Sequence, residues 1–236
     1  MKKKILISGG HGSLGKTIKS DSFLFFRPKR ERLDVTSYES IDHQIKTIEP
    51  DYFIHAAALT RPMVKHITNP IESIENNIIG TANVVNACIK YNVKLIYIST
   101  DYIYPGNKGN YLENDPIFPV NEYAWSKLGG ECAVKLYSNS LILRVAMVDT
   151  PFPHTHALDN VYKSSISVKE VSEHILSLLD KNGVINVGNE RSTIYNYVSN
   201  LNPNIKKISR QDIKDVKIAK DSSMNISKLK KILKNG

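Results

Sequence analysis

Cysteine is almost missing from these 236 residues, with only Cys88 and Cys132 present. Two thiols build neither a disulfide framework nor a zinc quartet, so no metal is expected, and a reducing compartment, the cytoplasm, suits the chain. Both fall in helix-like stretches and read as small buried side chains. Long apolar runs are missing as well, which removes a membrane span and a membrane partner from the expectations. The run that follows Met1 to Lys4 stops at Ser8-Gly9-Gly10, too short for the apolar core of an export signal. The formal charge of +9 favours acidic partners, yet the lysines are not interleaved with the aromatics a nucleic-acid surface needs. Nucleic acid is therefore not expected, whereas a phosphorylated metabolite or a merely solvated basic face both fit. Internal repeats and low-complexity linkers are also lacking.

What is present begins with Ile5 to Lys16, ILISGGHGSLGK, where a short apolar run breaks into Gly9, Gly12 and Gly15 and a short helix is expected to open at Gly12 to Leu14. A strand that turns directly into a helix leaves backbone N–H groups unpaired, and glycines let a diphosphate approach them. The first interval is one residue longer than in G-x-G-x-x-G, and such turns also serve as plain connections. His11 in this turn offers its backbone.

Strand and helix signals then alternate. Phe23 to Phe26 reads as a strand, Ser37 to Glu49 as a helix ended by Pro50, and Tyr52 to Ala56 as a strand. Pro70 to Asn92 has helical periodicity, Lys94 to Ser99 is a strand, and 101–120 a long loop. Asn121 to Leu136 is a helix, Leu141 to Val145 a strand, Val168 to Leu179 a helix and Gly183 to Val187 a strand. A last helix is expected around Ile226 to Leu233, within the lysine-rich end from Ile205 to Gly236. This order predicts an α/β fold of Rossmann type, a doubly wound parallel sheet whose ligands lie beyond the carboxyl ends of the strands. The division expected is a dinucleotide-binding core over 1–146, to which 166–187 returns, and a small, reduced C-terminal substrate lobe from 147–165 and 188–236.

Residues with chemistry sit at those carboxyl ends. Ser99-Thr100-Asp101-Tyr102 closes the fourth strand, and Tyr123 and Lys127 in YAWSK lie four apart on the next helix, which makes them neighbours on one face. A nearby ammonium would favour phenolate and lower the tyrosine pKa, as a general acid or base requires, and Thr100 could bond the same substrate oxygen. Alone, Tyr-x-x-x-Lys is also a common chance spacing. His154-Thr155-His156 has only Asp149 and Asp159 nearby in sequence and reads as an exposed loop. His43, His66 and His174 read as surface positions.

The glycine turn, the Ser99-Thr100 strand end and the Tyr123/Lys127 pair, in that order and at those separations, resemble the extended short-chain dehydrogenase/reductase family. His55-Ala56-Ala57-Ala58 and Asn77-Ile78-Ile79-Gly80-Thr81 are similar to further segments of it. Within it the chain looks most like the dTDP-4-dehydrorhamnose reductase subgroup, through Leu33-Asp34-Val35-Thr36, STDYIYPG at Ser99 to Gly106, Glu113 to Lys127, and KDSSMNISKLKKIL at Lys220 to Leu233. The resemblance implies hydride transfer from NAD(P)H to a keto group on a nucleotide-activated deoxy sugar. Tyr123 would donate the proton, Thr100 would orient the carbonyl, and Lys127 would hold the cofactor ribose and tune Tyr123. Gly9, Gly12, Ser13, Leu14, Gly15, Arg27, Asp34, Val35, Ala56, Ala57 and Ala58 would contact the cofactor, with Asp34 and Val35 beside the adenine. Asp101 and Tyr102 would face the substrate.

Dehydratases of similar pattern place Asp-Glu after the threonine, and here Asp101-Tyr102 stands instead, which favours simple reduction. Epimerisation on the same Tyr/Lys pair stays open. Arg27, Lys29 and Arg30 follow the second strand with no carboxylate before Glu31, so NADP(H) is expected over NAD(H); a solvated basic turn is the other reading. The interval from Met147 to Ser165 is brief where relatives enclose the sugar nucleotide. That brevity keeps a third reading, a non-catalytic cofactor-binding subunit, as the β subunit of methionine adenosyltransferase resembles these reductases. A homodimer through the Pro70 to Asn92 and Asn121 to Leu136 helices is common in proteins of this resemblance.

Overall fold

Alternation along Lys3–Ser8 sends Ile5 and Ile7 to one face of a sheet and Leu6 to the other, all fully buried. This is β1 of the computed structural model, which describes residues 1–234. The elements that follow are β2 (Phe23–Phe26), α1 (Tyr38–Ile48), β3 (Tyr52–His55), α2 (Lys65–Thr68) and α3 (Pro70–Ser73), which runs through a π-helical turn at Ile74–Ile79 into α4 (Gly80–Tyr91). Then come β4 (Lys94–Thr100), α5 (Glu122–Lys135), β5 (Ser140–Val145), β6 (Met147–Val148), β7 (His156–Leu158), β8 (Tyr162–Lys163) and β9 (Ile166–Ser167). The chain ends with α6 (Val168–Leu178), β10 (Gly183–Val187), β11 (Ser192–Thr193), α7 (Ile194–Ser199), β12 (Lys206–Ile208) and α8 (Ser227–Lys234). Residues 235 and 236 of the expected lobe lie outside the described residues.

Six strands form one parallel sheet in the order β10-β5-β4-β3-β1-β2. The order reverses between β1 and β3, which opens a crevice beyond Ser8 and His55. One face is covered by α1, α4 and α5 through Ile41, Ile45, Val84, Cys88 and Val134. The other is covered by α6 and α8 through Val171, Ile175, Leu178 and Leu229. Local signals end the helices where expected: Ser37 caps α1 and Asn121 caps α5 through side-chain oxygens, and Glu49 and Asn92 close α1 and α4 at positive φ.

The glycine turn departs from expectation. Residues 11–17 form only a turn, closed by Lys16 N–H to Gly12 O (3.2 Å) and Ile18 N–H to Leu14 O (3.3 Å), and no helix follows. Arg27 closes its far end, its Nε donating to Gly15 O at 3.0 Å and its Nη2 to Ile18 O. Leu14 and Ile18 anchor the turn in the core. Cys88 is buried, but Cys132, expected inside, is exposed on α5.

Beyond β5 the chain is stitched by small ladders. β6 pairs with β9, β7 with β12 and β8 with β11, and the strap around Asp221 bridges Tyr162. The stretch 147–165 is thus laid against 188–234 and against β9. No helix among the described residues is long and apolar enough to cross a membrane.

Candidate active site

β1 ends in Gly9, whose φ of +66° is a conformation side chains rarely adopt, and a Cβ there would lie 2.7 Å from Ala57 N. Bare glycine lets the β1 end pass against the backbone after β3. Gly15 is needed for the same reason, since a Cβ would reach Gly9 O at 2.4 Å. Gly12 differs: a Cβ would meet only Gly9 O, at 3.2 Å, so its other side is open. Beside that open side, the Ser13 and Leu14 N–H groups meet no acceptor among the described residues. The donor set and the uncovered glycine fit an anionic diphosphate. Ser13 Oγ donates to Asp149 at 2.6 Å, and Arg61 pairs with the same carboxylate at 2.5 Å. Leu14 points into the core, so only its backbone faces the crevice.

Other expected cofactor residues are more dispersed. Ala56, Ala57 and Ala58 follow β3 as a half-buried segment, with Ala56 N–H on Ser8 O at 3.2 Å. Val35 is buried against Gly80. Asp34 accepts from Thr36 N–H (3.0 Å) and Oγ1 (2.9 Å); against the opposing effect of burial, these bonds and Arg30 hold its carboxyl below its ordinary value. Arg27, expected at a ribose phosphate, turns inward instead. The carbonyls of Gly15 and Ile18 take its Nε and Nη2, and burial lowers its pKa.

At the carboxyl end of β4 the structure brings Thr100 and Tyr123 together. The half-buried Tyr123 ring lies edge-on to His66, 5.2 Å between centres, and to Tyr102 at 6.4 Å. Its pKa is pushed up to about 12, first by burial and next by Asp101, while the Thr100 hydroxyl and Lys163 pull it down. The expected lowering is thus reversed, because desolvation of the phenolate outweighs the nearby positive charge.

Lys127 rests elsewhere, over Tyr97. It is buried, and its Nζ stands 4.2 Å above the Tyr97 ring, whose hydroxyl donates to Lys127 O at 3.0 Å. Burial lowers its pKa to about 7, with Glu131 opposing. Its charge also helps burial depress His55 to about 3, leaving a neutral ring between Ser8 Oγ (2.8 Å) and Thr81 Oγ1 (3.1 Å). Beneath the site, Arg144 and Glu131 form a fully buried pair at 2.6 Å, and Ser99 Oγ donates to Glu131 at 2.7 Å.

Three residues escaped the reading of motifs. Asn77, presented by the π-helical turn, holds the Leu59 backbone with both amide atoms (2.8 and 2.9 Å) and donates to Ser126 Oγ on α5 at 2.8 Å. Its only signal was its place in the Asn77 to Thr81 segment. His66, expected at the surface, is buried against Tyr123 with Nδ1 2.6 Å from Ser73 Oγ and Nε2 without a partner. Lys163 reaches Asp101 Oδ2 at 2.9 Å, and no local pattern announced it. His154 and His156 are exposed, and no group of three or more His, Cys, Asp or Glu side chains among the described residues is placed to hold a metal ion. A cleft of about 750 Å³ adjoins the α5 N-terminus, lined by Asn107, Phe118, Trp125, Arg210 and Lys217 among others.

Comparison with known proteins agrees with this architecture. The family model described as RmlD substrate binding domain matches residues 2–164. Methionine adenosyltransferase 2 subunit beta of Rattus norvegicus is 31% identical over 143 residues, covering 56% of this chain and 42% of that protein. The dTDP-4-dehydrorhamnose reductase of Aggregatibacter actinomycetemcomitans is 30% identical over 151 residues, covering 61% of this chain and 51% of that enzyme. This chain spans about half the length of these curated relatives. The crystal structure of a Bacillus anthracis dTDP-4-dehydrorhamnose reductase in complex with NADP superposes with a TM-score of 0.86 at 23% identity, over 98% of this chain and 91% of that one.

Proposed function

The chain belongs to the RmlD substrate binding domain family, and on that footing we propose that it reduces a keto group on a nucleotide-activated deoxy sugar, of the dTDP- or UDP-4-keto-6-deoxyhexose type, with NAD(P)H. The observation that carries this reading is the meeting of Thr100 and Tyr123 at the end of β4, beside the crevice between β1 and β3, with Lys127 buried four residues further along α5. A nicotinamide held in the crevice would supply the hydride. Tyr123 gives its phenolic proton to the carbonyl oxygen as that oxygen gains charge, and a phenol held up at about 12 keeps the proton until the acceptor becomes basic. Thr100 orients the carbonyl through its hydroxyl. Lys127, with a pKa of about 7, would hold the cofactor ribose hydroxyls, and hydrogen bonds from its ammonium would favour the charged form. The backbone of Gly12, Ser13 and Leu14 holds the diphosphate, and 147–165 with 188–234 walls the substrate.

Purified protein is expected to oxidise NADPH or NADH when given such a keto sugar. Tyr123→Phe should lose about a hundredfold or more of the rate while keeping cofactor affinity. Retained cofactor binding without turnover would instead support the second reading, a cofactor-binding regulatory subunit, which the match to methionine adenosyltransferase beta subunits favours. With Arg27 engaged, preference for NADP(H) rests on the exposed Lys29 and Arg30, the latter 3.5 Å from Asp34. Arg30→Ala is expected to weaken NADPH binding several-fold and NADH binding little. Exposed Ile71, Ile74, Ile79 and Ile89 along α3, the π-helical turn and α4 suit a homodimer, which light scattering checks.

A further inference from the structure

Lys163 lies in the segment where the chain is brief, yet its ammonium ends among the residues of the site. It is buried at the end of β8, with Nζ 2.9 and 3.1 Å from the two Asp101 oxygens and 3.6 Å from the centre of the Tyr102 ring. Ser222 Oγ donates to Asp101 Oδ2 at 2.5 Å, and Ser222 N–H bonds Tyr162 O at 3.1 Å. Three distant stretches, the β4 end, β8 and the strap around 222, are therefore locked to one carboxylate. Tyr102, under the ammonium, meets Tyr123 edge-on at 6.4 Å. Lys127 has a different seat, above Tyr97.

We propose that Lys163 is a positioning residue for Tyr123: fixed on Asp101 and lying on the Tyr102 ring, it supplies the positive charge that acts on the Tyr123 phenol and holds Tyr102 against it. This rests on the reading of Tyr123 as proton donor. Tyr123 is faced by His66 from α2, by Thr100, Asp101 and Tyr102 from the end of β4, and by Lys163 from β8, with Glu122 and Lys127 on its own helix. Asp101 raises the phenol and Lys163 lowers it. The pair keeps these two influences in fixed proportion. Against burial, Asp101 keeps the Lys163 ammonium charged, with its pKa raised to about 12. The proton transferred is that of Tyr123, and Lys163 keeps its own.

The test reads Tyr123 directly. Protein labelled with carbon-13 at tyrosine Cζ is titrated by NMR, and Tyr123→Phe identifies the resonance. Wild-type Tyr123 should begin to ionise by about pH 11, whereas in Lys163→Met the onset should move up by about one unit. Lys163→Arg should restore the wild-type onset. Because Lys163→Met strands a buried carboxylate, Asp101→Asn is also compared with Asp101→Asn/Lys163→Met, and the double variant should titrate higher. An unmoved onset in both comparisons, or an equal shift in Lys127→Met, overturns the proposal. Keto-sugar turnover separates the two readings: a shifted Tyr123 in a protein without turnover sinks the reductase and keeps Lys163, and turnover with an unmoved Tyr123 does the reverse.

Discussion

The sheet and the segments wrapped around its carboxyl end are held together by different means. β4 pairs on both sides and is buried at all seven positions, and neighbouring strands share four or more paired residues. Among the described residues outside the sheet, no strand exceeds three residues. Beside these short ladders and the small cluster of Val148, Ala157, Val198 and Ile205, side chains staple the region: Asp101 with Lys163 and Ser222, Arg191 with Asp221 at 2.8 Å, and Asn186 Nδ2 on Tyr111 O at 2.9 Å. A ladder spreads its stability over many backbone bonds, whereas a stapled segment depends on single residues. The candidate catalytic groups lie where the two regimes meet.

The largest expected effect breaks that contrast from the sheet side, because the sheet also hides one staple. Arg144 on β5 is 1% exposed and its Nη2 and Nε meet Glu131 of α5 at 2.6 and 3.4 Å. Glu131→Ala would strand a buried guanidinium, at a cost of about 3–5 kcal/mol. Urea denaturation should show the whole protein destabilised; a loss under about 1 kcal/mol would mean that the ladder alone suffices.

Asp221→Ala sharpens the contrast from the other side. Asp221 accepts from Arg191, from Ser223 N–H (3.1 Å) and from Ser223 Oγ (2.6 Å), so about 1–3 kcal/mol of local stability should go. Hydrogen exchange is expected to speed up at the Tyr162 and Ser222 amides, which bond Lys220 O and Tyr162 O, while β4 and β5 stay protected. Equal loss in both places would make the two regions one cooperative unit.

A smaller effect tests the buried charge at the meeting place. Lys127 has its folded pKa lowered to about 7, against about 10.4 for an unfolded lysine. Between those values the unfolded chain holds a proton that the native one lacks, so stability rises with pH through this window and the burial penalty is full below it. Between about pH 7 and 8.5, urea midpoints should show wild type gaining about 1–2 kcal/mol over Lys127→Met. A parallel course for the two proteins would mean that Lys127 stays charged over Tyr97.

Much of the sheet was legible because its signals are local. Ser37 and Asn121 cap their helices, Asn92 ends one, and alternation at Ile5, Leu6 and Ile7 assigns faces without knowledge of the partners. The missing helix after Gly12 was not legible, since Arg27, twelve residues beyond Gly15, closes the turn through space. The same holds at the site. Four-residue spacing placed Tyr123 and Lys127 on one helix, but Tyr97, His66 and Asp101 decide where the side chains rest and which way the phenol shifts. Lys163 meets Asp101 across 62 positions, and two-residue strands such as β8 have too little periodicity to announce themselves.

The smallest effect falls at the seam itself, where the chain leaves the stapled segment and re-enters the sheet layer through α6. Ser167 accepts from Glu170 N–H at 3.2 Å, and Glu170 Oε2 accepts from Ser167 N–H at 3.0 Å, a reciprocal cap. Glu170 Oε1 also accepts from Asn189 Nδ2 at 3.2 Å, so this cap ties the stretch after β10 to α6. Ser167→Ala should cost about 1 kcal/mol. Against the opposing effect of burial, the Ser167 and Asn189 bonds lower the Glu170 pKa. A carboxyl lowered in the folded state stabilises above its unfolded value of about 4.3, and that contribution is lost as pH falls through the lowered value. Ser167→Ala should therefore lie below wild type at neutral pH and converge on it in acid, as followed by urea midpoints. A constant gap down to about pH 3 would assign the loss to the Ser167 hydroxyl alone, and leave Glu170 no part in fastening the stapled segment to the sheet.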